Sequence, residues 1–272
     1  AQSDSNRLAV SWFDAMLNRT LGQIEEDFTE YRISEALMKL YRLFWDEFSG
    51  WYLEMVKPGY RQPTDRATMD ATKAFFDRLL RTLHPFMPFI TEEIWQHMAP
   101  RKDGESITVA ALPAPQPFDQ ALLERIEQLK EAVSSVRNIR KEHNIPNKEA
   151  LELYVIGDDN YHREYNPLLQ KMANLNRVEE IAEKRSDAAA FIVKTTEYFV
   201  PLGGSIDVEE ELKKLKADLA YQEGFLASVL KKLSNERFVQ NAPAKVIETE
   251  HAKRHDAEAK IKALQERIAQ LG

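Results

Sequence analysis

The chain contains no cysteine, and this absence excludes disulfide bonds, thiolate nucleophiles and cysteine-ligated metal sites together. It also lacks an apolar run long enough to span a bilayer, and its N-terminus lacks a positively charged segment leading into an apolar core. We therefore expect neither a transmembrane helix nor a signal peptide. Because the first residue is alanine and not methionine, we expect an excised fragment of a longer protein.

A positive net charge is missing as well. The 272 residues carry a net charge of −7, which disfavours a general nucleic-acid coat protein, because nonspecific affinity comes from cationic side chains that meet phosphates. Local basic faces remain compatible with this charge. With 43% hydrophobic and 30% charged residues, the composition predicts a folded, soluble and helix-rich protein.

The last quarter of the chain, residues 206–271, has the pattern of a long antiparallel helical hairpin. In two stretches, mostly apolar positions recur at steps of three and four residues, as in helices zipped along one narrow stripe. Asp207 and Glu210 have the spacing of a capping box, and Pro243 suits the first turn of the second helix. The two stripes are Leu212, Leu215, Leu219, Gln222, Leu226, Val229 and Leu233, then Ile247, Glu250, Arg254, Ala257, Ile261, Leu264, Ile268 and Leu271.

The tip of this hairpin resembles the C-terminal tRNA-binding arm of bacterial valyl-tRNA synthetases. The resemblance rests on the run 231–236 (Lys-Lys-Leu-Ser-Asn-Glu), on Phe238-Val239 and on Ala242-Pro243. In that family the coiled-coil arm lies against the elbow of the tRNA. Arg237 stands where we expect the family to place a glycine, and its side chain carries a steric penalty in a left-handed turn. The conformation of the tip can therefore differ from that of the family.

The first half of the chain predicts a helical bundle. Apolar periodicity predicts helices over about residues 6–26, 33–55 and 66–84, with the aromatic side chains of the second in the core. His84 precedes a proline and is biased away from helical geometry, Thr91 is the expected N-cap of the next helix, and Ile90 can staple onto Trp95.

Three strings in this half resemble the anticodon-binding bundle shared by the synthetases for valine, isoleucine, leucine and methionine. They are Leu83-His84-Pro85-Phe86-Met87-Pro88-Phe89-Ile90-Thr91-Glu92-Glu93-Ile94-Trp95, Phe44-Trp45-Asp46-Glu47-Phe48 and Trp51-Tyr52-Leu53-Glu54. Relative to that family, the first bundle helix is expected to be missing upstream.

A further helix is predicted from its Asp119 cap to about Lys141, after an extended segment at 107–109 and a stiff proline-rich linker at 112–117. Arg137, Arg140, Lys141 and His143 cluster near its end. A basic last turn is expected from the helix dipole alone, and contact with phosphates or bases is the alternative. The run 135–146 again resembles valyl-tRNA synthetases. Residues 151–202 predict a small α/β unit, with strands near 151–155 and 178–181, a helix near 161–174 and a hairpin at 190–200, before Gly203-Gly204.

The predicted fold class is mainly α: a helical bundle, a small α/β connecting unit and a long antiparallel coiled-coil hairpin. The predicted domains are the anticodon-binding bundle at 1–146, the connecting unit at 147–204 and the tRNA-binding arm at 205–272. The resemblance implies that the chain positions valine tRNA for ATP-dependent aminoacylation by catalytic domains located elsewhere. It also implies upstream catalytic and editing domains in the same chain, a cytoplasmic protein and no membrane partner.

Catalysis is not expected from this chain itself. The His-x-Gly-His motif and the Lys-Met-Ser-Lys-Ser loop of class I synthetases, which help to bind ATP, are both missing. We therefore expect no catalytic residue and no cofactor here, and ATP only for the full-length enzyme. His84 has no partner arranged with it for acid–base work, and His251 and His255 lie one helical turn apart without a third ligand, so no metal is expected.

Nine residues are the candidates for RNA contact. Three lie at the end of the bundle and six around the arm tip: Arg137, Arg140 and Lys141, then Lys231, Lys232, Asn235, Arg237, Phe238 and Lys245. Phe238 has the alternative of packing under the turn. Two other functions remain open: a protein–protein scaffold that uses an exposed hairpin seam, weakened by Glu250 and Arg254, and the equivalent region of a related synthetase.

Overall fold

The structure, a computed structural model, describes residues 2–158, 160–185, 187–202, 208–235, 238 and 242–271, with only the backbone at 208–211, 270 and 271. The predicted cap at Asp207, the side chain of Glu210, the pair Gly203-Gly204 and Arg237 lie outside the described residues. The fold is mainly α with one small sheet, which confirms the predicted class. Two compact units divide the chain, residues 1–127 and 128–272, and the predicted division into three domains stays a proposal.

The first unit is a helical bundle whose three predicted helices are confirmed. A π-helical segment, Leu43–Tyr52, joins α2 to α3, so that the second predicted helix is continuous but not uniform. Its buried positions step by five residues from Leu43 to Phe48, which a π-helical turn accommodates and an α-helix does not. The helices are α1 (Asp4–Thr29), α2 (Ile33–Arg42), α3 (Leu53–Val56), α4 (Arg66–Leu83) and α5 (Pro88–Met98).

Phe13 of α1 lies at the centre of an aromatic cluster in this bundle. Its ring centroid is 5.2 Å from that of Phe48, 4.9 Å from Tyr52 and 5.1 Å from Phe75. All four side chains are buried. Because each buried side chain of this size contributes roughly 1.5–3 kcal/mol, this cluster stabilises the packing of α1 against the π-helical segment and α4.

Two expectations for the connection after α4 are wrong. His84 keeps helical dihedral angles (φ −53°, ψ −42°), because its N–H donates to the carbonyl of Leu80 at 2.9 Å and its ring nitrogens lie 2.7 and 3.2 Å from the hydroxyls of Thr91 and Thr108. Thr91 is not an N-cap, because α5 already begins at Pro88 and the buried Thr91 hydroxyl donates to the carbonyl of Met87 at 2.8 Å.

Two smaller expectations in this region fail as well. Ile90 is 48% exposed, which does not support a staple onto Trp95. The segment Ile107–Val109 was expected to have extended backbone, but it forms a short 3₁₀ helix. The hydroxyl of Ser106 caps this helix by accepting the N–H of Thr108 at 3.1 Å.

The second unit contains a four-stranded sheet in the order β2-β1-β4-β3. β1 pairs in parallel with β2 and antiparallel with β4, and β3 and β4 form the predicted hairpin. The predicted helix at 161–174 is shorter than expected, because a 3₁₀ turn, Arg163–Tyr165, precedes it. The elements are β1 (Leu151–Ile156), α7 (Asn166–Ala173), β2 (Leu175–Glu180), β3 (Ala188–Val193) and β4 (Thr196–Pro201).

The long helix α6 (Gln120–Glu142) crosses the division between the two units. Its predicted cap is confirmed, because the side chain of Asp119 accepts the N–H of Leu122 at 3.0 Å. The residues before it, 111–119, have no regular structure, in agreement with the predicted linker. They pack along α1, where the side chain of Asn18 accepts the N–H of Gln116 at 3.2 Å.

The chain ends in the predicted hairpin of two long helices, α8 (Val208–Leu233) and α9 (Ala244–Leu271). Leu215, Val229 and Ala257 are buried, and all three belong to the predicted stripes. The two stripes therefore face each other, and we call this pair of helices the arm. Pro243 directly precedes α9, and its carbonyl accepts the N–H of Val246 at 2.9 Å.

Candidate nucleic-acid interface

Three exposed lysines lie at the end of the arm where α8 and α9 meet. Lys231 and Lys232 occupy the last turn of α8, and Lys245 occupies the first turn of α9. The helix dipole favours cations at a C-terminus but disfavours them at an N-terminus. The helix dipole therefore explains the positions of Lys231 and Lys232 but not that of Lys245.

Asn235 and Phe238 belong to the turn between these helices. The side-chain oxygen of Asn235 accepts the N–H of Phe238 at 3.2 Å, and the carbonyl of Phe238 accepts the N–H of Ala242 at 2.9 Å. Asn235 is exposed, whereas Phe238 is half-buried. Both residues thus help to build the turn, and each keeps part of its surface available for another molecule.

A buried carboxylate lies beside these lysines. From the sequence alone, this residue is predicted only to weaken the packing of the seam. Glu250 of α9 is 5% exposed, and it accepts a hydrogen bond from Lys253 at 2.7 Å. Lys232 lies 3.6 Å from the same carboxylate. The hydrogen bond from Lys253 and the charge of Lys232 hold the pKa of Glu250 below its ordinary value. Glu250 therefore stays ionised and holds Lys232 near the seam.

The expectation for Arg140 is corrected by the structure. Arg140 is 3% exposed, and burial lowers the pKa of its guanidinium. Its two terminal nitrogens donate to four backbone carbonyls, which leaves them no free face for a phosphate. The acceptors are the carbonyls of Pro146 (3.3 Å), Glu149 (2.7 Å), Ala173 (3.1 Å) and Asn174 (2.8 Å).

The other two candidates on α6 remain at the surface. Arg137 is exposed and donates to the carbonyl of Met172 at 3.0 Å, and Lys141 is exposed in the last turn of α6. Of the basic cluster at the end of this helix, Arg137 and Lys141 therefore keep their cationic groups within reach of a phosphate.

An exposed apolar row on α2 and the start of the π-helical segment departs from the expectation that these aromatics form core. Trp45 is 63% exposed and Tyr41 is 54% exposed. A signal for this row is present in the sequence, because its main positions recur every four residues, about 100° around the helix from the buried Ala36 and Leu40. The row consists of Ile33, Leu37, Tyr41 and Trp45, and the exposed Met38 lies beside it.

Metal ligation and membrane spanning find no support in the part of the chain that the structure describes. Among those residues, no group of three or more histidine, aspartate or glutamate side chains is placed to hold a metal ion. Within the same residues, no helix has the length and apolar character needed to cross a bilayer.

Two known protein families match this chain. The chain belongs to the family described as the anticodon-binding domain of tRNA ligase, whose model matches residues 11–155. Residues 207–272 match a second model, described as the valyl-tRNA synthetase tRNA-binding arm. The resemblance seen in the sequence is thereby confirmed in both regions.

Individual relatives agree with these families. The chain is 56% identical to a valine–tRNA ligase of Parabacteroides distasonis over 271 residues, which cover 100% of this chain and 31% of that protein. It is 50% identical to the valine–tRNA ligase of Bacteroides thetaiotaomicron, with 99% and 31% covered, and 36% identical to that of Enterococcus faecalis, with 99% and 32% covered. The chain thus spans about a third of the length of the curated relatives it matches.

Proposed function

We propose that this chain binds tRNA, valine tRNA in particular, and orients it for aminoacylation by catalytic domains outside these 272 residues. The observation that carries the proposal is the tip of the arm, where Lys231, Lys232 and Lys245 are exposed at one end of a zipped hairpin. Cationic side chains on a narrow support suit the phosphate backbone of a folded RNA. The match of residues 207–272 to the tRNA-binding arm of valyl-tRNA synthetases supports the same assignment.

The proposed interface has two parts. At the arm tip, Lys231, Lys232 and Lys245 contact phosphates, and the exposed surfaces of Asn235 and Phe238 add shape and stacking. At the end of α6, Arg137 and Lys141 contact phosphates. Arg237 stays a candidate from the sequence, because it lies outside the described residues.

The bundle supplies a different kind of contact. Single-stranded loops of RNA are recognised by stacking their splayed bases on aromatic side chains. Tyr41 and Trp45 are exposed on one face of the bundle, and we propose that they stack on bases of the anticodon loop. Support comes from the match of residues 11–155 to anticodon-binding domains.

The activity of the whole protein is part of this proposal. By analogy with the named relatives, ATP-dependent joining of valine to tRNA belongs to catalytic and editing domains of the same protein, and its location is cytoplasmic. The protein–protein scaffold has less support, because Leu215, Val229 and Ala257 of the hairpin seam are buried within this chain.

The test is fluorescence-anisotropy titration of the 272-residue chain with valine tRNA and with a non-cognate tRNA, across a series of salt concentrations. We expect tighter binding to valine tRNA and a clear loss of affinity with salt, because bound cations displace counterions from phosphates. Absence of binding at low salt would contradict the proposal.

A double variant locates the interface. Lys231→Ala with Lys232→Ala is expected to weaken binding about tenfold near 0.1 M salt and to lower the salt slope by about 1–2. The matched control is Lys213→Ala with Lys216→Ala, two exposed lysines of α8 far from the tip, which removes the same charge. Equal effects of the two double variants would remove the tip from the interface.

A further inference from the structure

The base of the arm is attached to the sheet through a buried arginine. Arg267 in α9 is 3% exposed, and its guanidinium donates to the carbonyls of Arg185 at 2.9 Å and Ala188 at 3.0 Å. The same group lies 5.7 Å from the ring centroid of Phe199 in β4. Because arginine presents its donors in a rigid planar fork, these bonds fix the rotation of α9 as well as its position.

Four ion pairs also join the arm to the rest of this unit, and they involve both helices of the arm. Exposed ion pairs of this kind are individually weak, so the buried guanidinium is the main polar determinant of the attachment. Two of the pairs join α9 to the loops beside the sheet, and two join the arm to α6. They are Lys194–Asp256 (2.8 Å), Lys184–Glu266 (3.1 Å), Lys260–Glu131 (3.3 Å) and Lys214–Glu142 (3.0 Å).

We propose that Arg267 is a positioning residue, which sets the direction in which the arm leaves the sheet and so the place where the tip lysines meet RNA. Ala244 lies about 35 Å from Arg267 along α9 at 1.5 Å per residue. A rotation of roughly 10° at the attachment therefore moves the tip by about 6 Å. This displacement exceeds the reach of an ion pair, which ends at about 4 Å.

The hairpin does not need this contact for its own integrity. α8 and α9 pack against each other along the seam that contains the buried Val229 and Ala257, and Val229 lies 21 residues beyond Val208, where α8 begins. Loss of the Arg267 bonds is therefore expected to change the orientation of the arm while the two helices stay paired. Only the consequence for RNA binding rests on the proposed function.

Because the chain has no cysteine, a pair of spin labels can be attached without background. The labels are placed at Ser134→Cys on α6 and Ser228→Cys on α8, both exposed serines whose hydroxyls bond only within their own helix. Electron–electron double resonance then measures the distribution of distances between α6 and the outer part of the arm. The variants are Arg267→Met, Arg267→Lys and the control Lys262→Met, an exposed cation of the same helix.

We expect a narrow distribution for the parent chain and for Lys262→Met, a distribution at least twice as wide for Arg267→Met, and partial recovery with Arg267→Lys. Hydrogen exchange of α8 and α9 is expected to stay slow in all of them. An unchanged distance distribution in Arg267→Met would overturn the proposal. If Arg267→Met does not fold, Arg267→Lys, which keeps the cation but loses the planar fork of donors, must broaden the distribution in its place.

RNA titration separates this inference from the proposed function. Arg267→Met is expected to weaken tRNA binding about threefold to tenfold, because fewer molecules hold the arm in the binding orientation. The salt slope should stay unchanged, because the molecules that do bind still place the tip lysines on phosphates. If Arg267→Met broadens the distances and leaves affinity unchanged, the positioning role fails while the proposed function stands. If removing Lys231 and Lys232 has no effect on tRNA binding, the tip assignment fails and the distance result still decides the role of Arg267.

Discussion

Arg140 and Lys141 are neighbours in the sequence but differ in solvent exposure. The first is buried and bonded to four carbonyls, and the second is exposed in the last turn of α6. No local pattern distinguishes them, because two of the acceptors, the carbonyls of Ala173 and Asn174, lie 33 and 34 residues away. The sequence was therefore sufficient to find the basic cluster but not to say which of its members face solvent.

Replacement of Arg140 is expected to act on stability. Arg140→Met leaves four carbonyls without their charged donor, so the free energy of unfolding should fall by about 3 kcal/mol. Lys141→Met is the matched control, and its effect should stay within about 0.5 kcal/mol. Urea denaturation followed by circular dichroism measures both. Equal losses for the two variants would contradict a structural role specific to Arg140.

Asp65 makes the stability of the bundle depend on acid. Its carboxylate accepts the Thr68 hydroxyl at 2.6 Å, the Thr68 N–H at 2.9 Å and the Asn6 amide at 3.0 Å. The hydrogen bonds from Thr68 and then from Asn6 lower the pKa of Asp65 from 3.8 to about 2. Because the folded state favours the ionised form, this contribution is complete above about pH 4 and is lost as the pH falls toward 2.

We expect Asp65→Asn, which keeps an oxygen for capping but no longer titrates, to flatten the fall of stability between pH 4 and pH 2. Denaturant titrations at a series of pH values measure it, with the exposed Asp103→Asn as control. An unchanged profile for Asp65→Asn would show that other carboxylates govern the acid transition.

Among the elements, regular helices were predictable and their irregularities were not. The stripes that define α8 and α9 were correct because a coiled-coil seam repeats over many turns. The π-helical segment was missed because the prediction for residues 33–55 assumed uniform helical steps through Leu40, Phe44 and Phe48, whereas the buried positions step by five from Leu43 to Phe48. The start of α5 was missed because Thr91 offered a capping pattern while Pro88 occupied the first turn.

The arm hairpin should become more stable when its buried carboxylate is removed. Glu250 is the buried member of its ion pairs, whereas the side chains of Lys232 and Lys253 are 55% and 44% exposed. Glu250→Leu therefore removes a buried charge without leaving another behind, and it should stabilise the hairpin by about 1 kcal/mol. Hydrogen exchange in α8 and α9 measures the change. Glu248→Leu, an exposed position on the same helix, is the control. Faster exchange in Glu250→Leu would show that the carboxylate stabilises the seam.

At the scale of the molecule, the sequence predicted the order of elements and the mainly α character of the chain. The predicted domain boundary at residue 146 follows the end of α6 and stays a proposal, and the compact units divide at residue 127, inside that helix. Where one helix belongs to both compact units, the sequence shows no break in composition or periodicity at their boundary. The second half of α6 belongs to the second unit because of its contacts there, such as those of Arg140.

The second unit is expected to fold without the first when it is cut ahead of the cap of α6. A fragment of residues 119–272 keeps Asp119 and should retain its helix content and cooperative melting by circular dichroism. It should also bind tRNA more weakly than the whole chain, with a lower salt slope, because fewer phosphates are contacted. A fragment without cooperative melting would contradict the independence of this unit.

The arm leaves the sheet after Pro201 and returns to it through Arg267, and this path fixes an order of events during synthesis. At about 5–20 residues per second, several seconds pass between the completion of β4 and the emergence of Arg267. During this interval the apolar stripe of α8 lacks its partner stripe in α9. The ring of Phe199, which is buried in the final fold, lacks its contact with Arg267. The hairpin is therefore the last part of this unit to fold, and until α9 is complete its apolar surfaces are those a chaperone would bind.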